Sequence, residues 1–231
     1  EATGRGVLII TQETVKYLGL QPESLTVAVQ GMGNVGAAAA KLLYEAGYKI
    51  VAVSDITGGV RSDNGLDIPA IEKHLCANGT LCGYQAEGVT AFNRDEILTT
   101  PCDILIPAAM ENQLTAANAG DVKAKIIIEG ANGPTEAEAD EILRRRGIFL
   151  VPDILANAGG VVVSYFEWVQ NIESFMWGID QVNKTLETIM VKAFCEVAEI
   201  SETYQTSMRM GAYMAALKRL VAAKKIRGIF P

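Results

Sequence analysis

The sequence predicts an α/β fold, a doubly wound and mostly parallel sheet followed by a C-terminal helical tail. Three observations predict it. Short runs of β-branched and aliphatic residues alternate with helix-length segments over the first two thirds of the chain, the pattern of βαβ units and a parallel sheet. A glycine-rich turn, Gly31-Met32-Gly33-Asn34-Val35-Gly36, joins the first of those runs to the helix after it. Beyond Pro152 the alternation stops and long helical stretches take over.

Taken in order, Gly4 to Leu20 carries Val7, Ile10, Thr14 and Leu18 at helical spacing, with Gly19 placed to stop it. Leu25 to Gln30 is a short buried strand. Asn34 to Ala46 is an alanine-rich helix stopped by Gly47, and Tyr48 to Val53 is a second strand. These pieces make one βαβ unit with a right-handed crossover. Gly65 to Cys76 reads as a helix entered through Asp63 and Asn64. Asp103 to Ile106 and Lys125 to Glu129 are further buried strands. Thr135 to Arg146 is a helix with Thr135 and Glu138 as a capping box and arginines in its last turn. Ile148 to Val151 is the last strand of about five or six. Asn157 to Trp177 and Asp180 to Tyr204 are long helices. In the second, Val182, Leu186, Ile189, Met190, Ala193, Phe194, Val197 and Ile200 share a stripe. A last helix runs from about Ser207 to Lys224. The Rossmann-type core is thus placed at about 21–152, with helical segments 4–20 and 154–225 packing on it, the whole of 1–231 forming one dinucleotide-binding domain.

Composition bounds the function. The chain has 231 residues, 49% of them apolar, enough for a sizeable core, and a net charge of −7 that argues against nucleic acid or a membrane surface as partner. No apolar stretch is long enough to span a bilayer. Cys76, Cys82, Cys102 and Cys195 match no zinc or redox spacing, and the lone His74 is too little for a histidine metal site, so no metal is expected. Scattered thiols fit a reducing cytoplasm. Cys102, before a strand, reads as an inert buried thiol and His74 as a surface residue. Trp168 and Trp177 read as packing the tail against the sheet or a hinge, and Met208, Met210 and Met214 as filling a core or an interface.

The glycine turn carries the chemistry. Gly31 permits the tight turn, Gly33 lets a pyrophosphate approach the backbone, and Gly36 lets helix and strand pack closely. The helix N-terminus offers free amides to phosphate. Asp55 lies about 20 residues beyond the glycines, the spacing of a carboxylate that holds ribose hydroxyls. Two asparagine turns, Gly130-Ala131-Asn132-Gly133 and Ala156-Asn157-Ala158-Gly159-Gly160, follow the last two strands, where open α/β sheets bind ligands. An amide that donates and accepts suits a carboxamide or a ribose, and equally suits the shaping of a turn.

Together, Thr3-Gly4-Arg5-Gly6-Val7, the glycine turn, Ala131-Asn132-Gly133-Pro134, the stretch from Asn157 through Ser164-Tyr165-Phe166-Glu167-Trp168 and the terminal Arg227-Gly228-Ile229-Phe230-Pro231 resemble the glutamate/leucine/phenylalanine/valine dehydrogenase family. The resemblance spans the whole chain but only that family's C-terminal, coenzyme-binding domain. It implies oxidative deamination of L-glutamate to 2-oxoglutarate and ammonia with hydride transfer to NAD(P), in a homohexamer. Thr3 is implied at the nicotinamide carboxamide, Asn34 and Val35 at the pyrophosphate, Asn132 and Asn157 at the nicotinamide ribose. Gly160 and Val161 would face the reacting carbon, and Ser164 would bind the side-chain carboxylate of the substrate, which points to glutamate. NAD is expected because Asp55 repels a 2′-phosphate; NADP is the alternative, since Ser54, Thr57 and Arg61 lie nearby in sequence and Arg61 would compensate a phosphate.

The family's catalytic lysines and aspartate belong to its N-terminal domain. Lys41, Lys49, Lys73 and Lys184 read as solvated surface instead. The first residue is Glu1 and the opening reads as mid-protein sequence. The expectation is therefore a domain without its catalytic partner, binding coenzyme and turning over nothing. The competing reading, from another class, is a redox-sensing dinucleotide module with no chemistry.

Overall fold

A computed structural model describes residues 1–228; the terminal Ile229, Phe230 and Pro231 of the family-like ending lie outside them. The chain runs α1 (Ala2–Tyr17), β1 (Thr26–Gln30), α2 (Asn34–Glu45), β2 (Lys49–Asp55), β3 (Gly58–Arg61), α3 (Ile68–Asn78), β4 (Thr90–Phe92), β5 (Ile104–Pro107), β6 (Ile126–Ile128), α4 (Ala137–Arg145), β7 (Phe149–Val151), α5 (Asp153–Ala156), α6 (Gly159–Glu173), α7 (Ile179–Thr203) and α8 (Met208–Arg227).

The strands form one seven-stranded sheet in the order β4-β3-β2-β1-β5-β6-β7. β2, β1, β5, β6 and β7 are parallel, as expected for a doubly wound fold. β3 and β4 are antiparallel additions at one edge. Asp55 pairs with Gly58, so only Ile56 and Thr57 separate β2 from β3. So short a loop admits a hairpin but no crossover. The sequence reading missed this pair because Gly58-Gly59-Val60-Arg61 and Thr90-Ala91-Phe92 are too short and too polar to give a strand signal.

Three other expectations shift. Helix α3 starts at Ile68 because the Asp67 carboxylate caps it, accepting from the Ala70 N–H at 3.0 Å; Asp63 and Asn64 stay outside. The Thr135–Glu138 capping box does not form. Thr135 is drawn into an isolated bridge with Leu114, and the Glu136 N–H donates to the Leu114 carbonyl at 2.9 Å, so the helix begins only at Ala137. The helix placed at 157–177 ends at Glu173, where Ser174 turns left-handed and the Trp177 N–H donates to the Gln170 side chain at 2.7 Å.

The parallel strands alternate between two cores. Val27, Val29, Ile104, Ile106, Ile126 and Ile128 face α1, α2, α6 and α7. Ala28, Leu105 and Ile127 face the opposite layer with Leu114, Val122, Ala139 and Leu143. In the tail, Leu186, Met190, Phe194 and Val197 of α7 are buried as the stripe predicts, whereas Ile189 at its edge is 39% exposed. Trp177 packs on Phe166, ring centroids 5.4 Å apart. Trp168 does not pack inward: Phe166 and Gln170 occupy the buried side of α6, which turns Trp168 out beside Tyr165, 58% exposed. Of the three methionines, Met208 is buried and Met210 is exposed.

Candidate functional site

At the carboxyl end of β1 the chain leaves through Gly31, whose φ of +91° is reserved in practice for glycine. Its bare face is also needed: a Cβ there would stand 2.9 Å from the backbone of Ala108 and Ala109. Gly36, in the first turn of α2, lies against the Gly31 carbonyl so closely that a side chain would overlap it. Gly33 is different, since nothing lies within 4 Å of where its Cβ would be. The fold thus demands the first and third glycines but not the second, which keeps open space in front of the helix. Helix α2 has no side-chain cap and no acid in its first turn. The amides of Asn34, Val35 and Gly36 are therefore the unpartnered donors of a helix start, with the positive end of its dipole behind them.

Two clefts flank this turn. One, of about 350 Å³, lies over β1 and β2 and is lined by Gln30, Gly31, Met32, Gly33, Ser54, Asp55, Ile56 and Arg94 among others. The second, of about 510 Å³, is lined by Thr3, Val35, Glu111, Gly130, Ala131, Asn132, Asn157, Gly160 and Val161. Ala109 and Met110 border both, so the two adjoin along the carboxyl ends of the strands as the two halves of the candidate site.

In the first half, Asp55 is oriented by three donors, two from its own turn and one from beyond α3. Its Oδ1 accepts from the Thr57 N–H at 2.7 Å and the Thr57 hydroxyl at 2.6 Å, and its Oδ2 accepts from the Leu81 N–H at 2.6 Å. Arg61 does not stand beside it. The hairpin sends β3 back down the sheet, so Arg61 pairs with Ala52, sits over the Phe92 ring at 5.7 Å and lines a separate cleft with Asp63 and Thr90. The expectation that Arg61 compensates a phosphate near Asp55 is therefore corrected; Arg94, which sequence reasoning passed over, is the arginine at this cleft.

In the second half, α1, α2 and α6 meet backbone to backbone. A Cβ on Gly4 would stand 2.6 Å from Ala38 Cβ, and one on Gly6 would stand 3.0 Å from Gly159. This close approach brings Thr3 against Gly160. Across the cleft, the Asn157 side-chain amide donates to Asn132 Oδ1 at 2.7 Å, joining the two asparagine turns. Ser164 is one helical turn beyond Gly160 on the same face of α6, solvent-exposed but outside the lining of the cleft.

Behind that half lies a charge cluster. Glu129, at the end of β6, is fully buried. Arg209, at the start of α8, donates through Nη2 to Glu129 Oε1 at 2.7 Å and through Nε to Asp140 Oδ2 at 2.7 Å, and approaches Asp153 Oδ1 at 3.5 Å. Burial raises the Glu129 carboxyl above its ordinary range despite the opposing pull of Arg209. Burial would lower Arg209, but its bonds to Glu129 and Asp140 win and raise it. The residues that sequence reasoning missed are thus Ala108, Ala109, Met110, Gln30, Arg94 and Arg209. The first three follow a strand end, Pro107-Ala108-Ala109-Met110, and the rule that flagged the asparagine turns would have found them.

Cys102 is half-buried and its thiol is pushed up to about 12 by burial, which makes it inert. His74 is partly exposed, its ring 3.2 Å from the Cys82 carbonyl. Lys41, Lys49, Lys73 and Lys184 are exposed. Among the described residues no group of three or more His, Cys, Asp or Glu side chains is placed to hold a metal, and no helix is long and apolar enough to cross a membrane.

The family model for glutamate/leucine/phenylalanine/valine dehydrogenase matches residues 1–228. The chain belongs to that family. It is 50% identical over its whole length to a glutamate dehydrogenase of Thermotoga maritima, of which it covers 55%, and 46% identical to glutamate dehydrogenase A2 of Halobacterium salinarum, again covering 55%. Its structure is similar to a hetero-hexameric glutamate dehydrogenase of Thermus thermophilus with TM-score 0.92 and 33% identity, over all of this chain and 54% of that one. A glutamate dehydrogenase of Peptoniphilus asaccharolyticus gives TM-score 0.85 and 35% identity, over 99% of this chain and 53% of that one. The chain therefore spans about half the length of the dehydrogenases it matches. The family uses a nicotinamide dinucleotide.

Proposed function

We propose that this chain is the coenzyme-binding domain of a glutamate dehydrogenase, one that oxidatively deaminates L-glutamate to 2-oxoglutarate and ammonia. One observation carries the reading: two adjoining clefts that share Ala109 and Met110 lie at the strand ends, one bordered by Asp55 and Gly33 and the other by Thr3, Asn132 and Asn157. Their place at the strand ends, on either side of the glycine turn, suits a dinucleotide laid across them.

In this reading the amides of Asn34 and Val35 hold the pyrophosphate, and Gly31, Gly33 and Gly36 let it come close. The Asp55 carboxylate accepts from the adenosine ribose hydroxyls. Thr3, Asn132 and Asn157 orient the nicotinamide end by hydroxyl and amide hydrogen bonds. Gly160 and Val161 form the wall nearest the reacting carbon. Ser164, one turn further out, donates to the side-chain carboxylate of glutamate. The bound coenzyme supplies the hydride acceptor. The lysines and aspartate that handle the amino group are assigned to the part of the relatives that this chain does not span, so the chain alone binds coenzyme without turnover. The complete enzyme is read as a cytoplasmic homohexamer whose cleft closes to exclude water.

NAD is the preferred coenzyme, because a fixed Asp55 carboxylate repels a 2′-phosphate; Arg94 in the same cleft keeps NADP as the second reading. Dissociation constants for both coenzymes, measured on wild type and Asp55→Ser, test this. NAD binding the tighter in wild type, with the gap closing in the variant, is expected; equal or tighter NADP binding in wild type would overturn it. Glutamate-dependent coenzyme reduction by this chain alone would overturn the domain assignment.

A further inference from the structure

The nicotinamide half of the groove is anchored from behind. Glu129 Oε1 takes the Arg209 guanidinium, and Glu129 Oε2 accepts the Asp153 N–H at 2.8 Å. Asp153 Oδ2 in turn accepts the Gly133 N–H at 2.8 Å, which holds the turn carrying Asn132. Asn157, at the far end of the short helix α5 that Asp153 opens, closes the ring by donating to Asn132. Arg209 does not line the cleft that these residues border. Its side chain, 19% exposed, meets three carboxylates on three different segments, and among the described residues it is the one cation paired with the fully buried Glu129.

We infer that Arg209 is a positioning residue for the nicotinamide end of the coenzyme, acting through Glu129 and Asp153 on the Asn132 turn and Asn157. The inference rests on the coenzyme reading above. Glu129 takes one arm of the guanidinium, whose Nε is fixed by Asp140, and its second oxygen sets where α5 begins. Without the guanidinium, Glu129 takes up a proton or draws in water, and its grip on the Asp153 N–H weakens. The Asn132 turn and Asn157 then lose their common reference. The adenosine half touches none of these atoms, so its binding is untouched. A lysine keeps the charge but is a point donor and does not reach Glu129 and Asp140 with one rigid fork.

The test uses the full-length protein that contains this chain, with Arg209→Met, Arg209→Lys and the direct-contact control Gly33→Val. Binding of NADH and of 5′-AMP, the adenosine half alone, is followed by titration, with kcat, coenzyme KM and Tm alongside. The expected result is a rise of about tenfold in the NADH dissociation constant and a fall of similar size in kcat for both Arg209 variants, with AMP affinity within about twofold of wild type; tenfold corresponds to one decade of misplacement cost. Where Arg209→Met fails to fold, Arg209→Lys is read alone. A lowered Tm with NADH affinity and kcat unchanged, or AMP weakened as much as NADH, would overturn the inference and leave Arg209 a purely structural residue. Gly33→Val leaving NADH affinity unchanged would sink the coenzyme reading itself, and the inference with it.

Discussion

Over β1 and β2 the groove is organised mostly by contacts close in the chain: Asp55 takes two donors from Thr57, two residues on, and one from Leu81, 26 residues on, and Gly31 makes room for Gly36 five residues later. Over β6 and β7 it is organised from far away, by an arginine 56 to 80 residues from the carboxylates it joins. The first half leans on its own turn, with Asp55 held chiefly by Thr57 and Gly36 set against the Gly31 carbonyl. The distant half takes shape only when α8 has docked. The two halves of one cleft thus differ in what they cost to assemble, and long-range closure costs more chain entropy than local closure. A substitution in the first half should injure the site at its point of contact, and one in the second half should injure it through the fold.

The comparison is broken most sharply by Arg209→Met. It strips a buried carboxylate of its cation and is expected to cost about 3 kcal/mol or somewhat more in urea unfolding. The cost should grow with pH. A carboxylate whose folded value is raised contributes stability below its unfolded value and loses it as pH rises through the folded one. Unpaired, Glu129 sits higher still, so the deficit at pH 8 should exceed that at pH 5. An equal deficit at both would mean that Glu129 is not charged in the wild-type protein.

Gly36→Ala probes the local half. Its Cβ overlaps the Gly31 carbonyl, so strand end and helix start must separate. A loss of about 2–3 kcal/mol is expected, with binding of both coenzyme and AMP falling together. Retained AMP affinity would show that the turn tolerates a side chain there.

Asp103 sets a reference at the opposite end of the sheet. Burial tends to raise it, but the Thr26 N–H and hydroxyl at 3.0 and 2.8 Å and Lys125 at 3.0 Å hold it below the usual carboxylate range. Its stability contribution is present above the unfolded value near 3.9 and lost as pH falls through the folded one. Asp103→Asn should cost about 1 kcal/mol at pH 7 and flatten the acid limb of the unfolding curve below about pH 4, leaving coenzyme affinity alone. The smallest effect is expected from Ser207→Ala. It removes the cap that accepts the Met210 N–H at 3.2 Å, costs roughly 1 kcal/mol, and should slightly weaken NADH but not AMP through α8.

What could be read from the sequence follows the same division. The glycine turn, Asp55 and the parallel strands announce themselves within short windows, because turn chemistry and hydrophobic period are local properties. The turns of Asn132 and Asn157 are marked by their place at strand ends, while Thr3, Gly160 and Val161 follow from family resemblance, and the fold gathers all five into one cleft; the same resemblance places Ser164, which lies outside that lining. The β3–β4 hairpin left almost no trace, and missing it misplaced Arg61, since the reversal of the strand decides which end of the sheet that arginine reaches. Arg209 was illegible for a different reason. Nothing near Met208 or Met210 hints at a buried glutamate; the partners are defined only by the folded topology.

The meeting of α1 and α6 at Gly6 and Gly159 has one more outcome. Main chain there lies against main chain, with no rotamers in between to reshuffle. Thr3 and the start of α6 are consequently welded into a single slab: whatever swings that wall of the cleft must carry both helices in one piece, and a hinge has to be sought elsewhere along the chain.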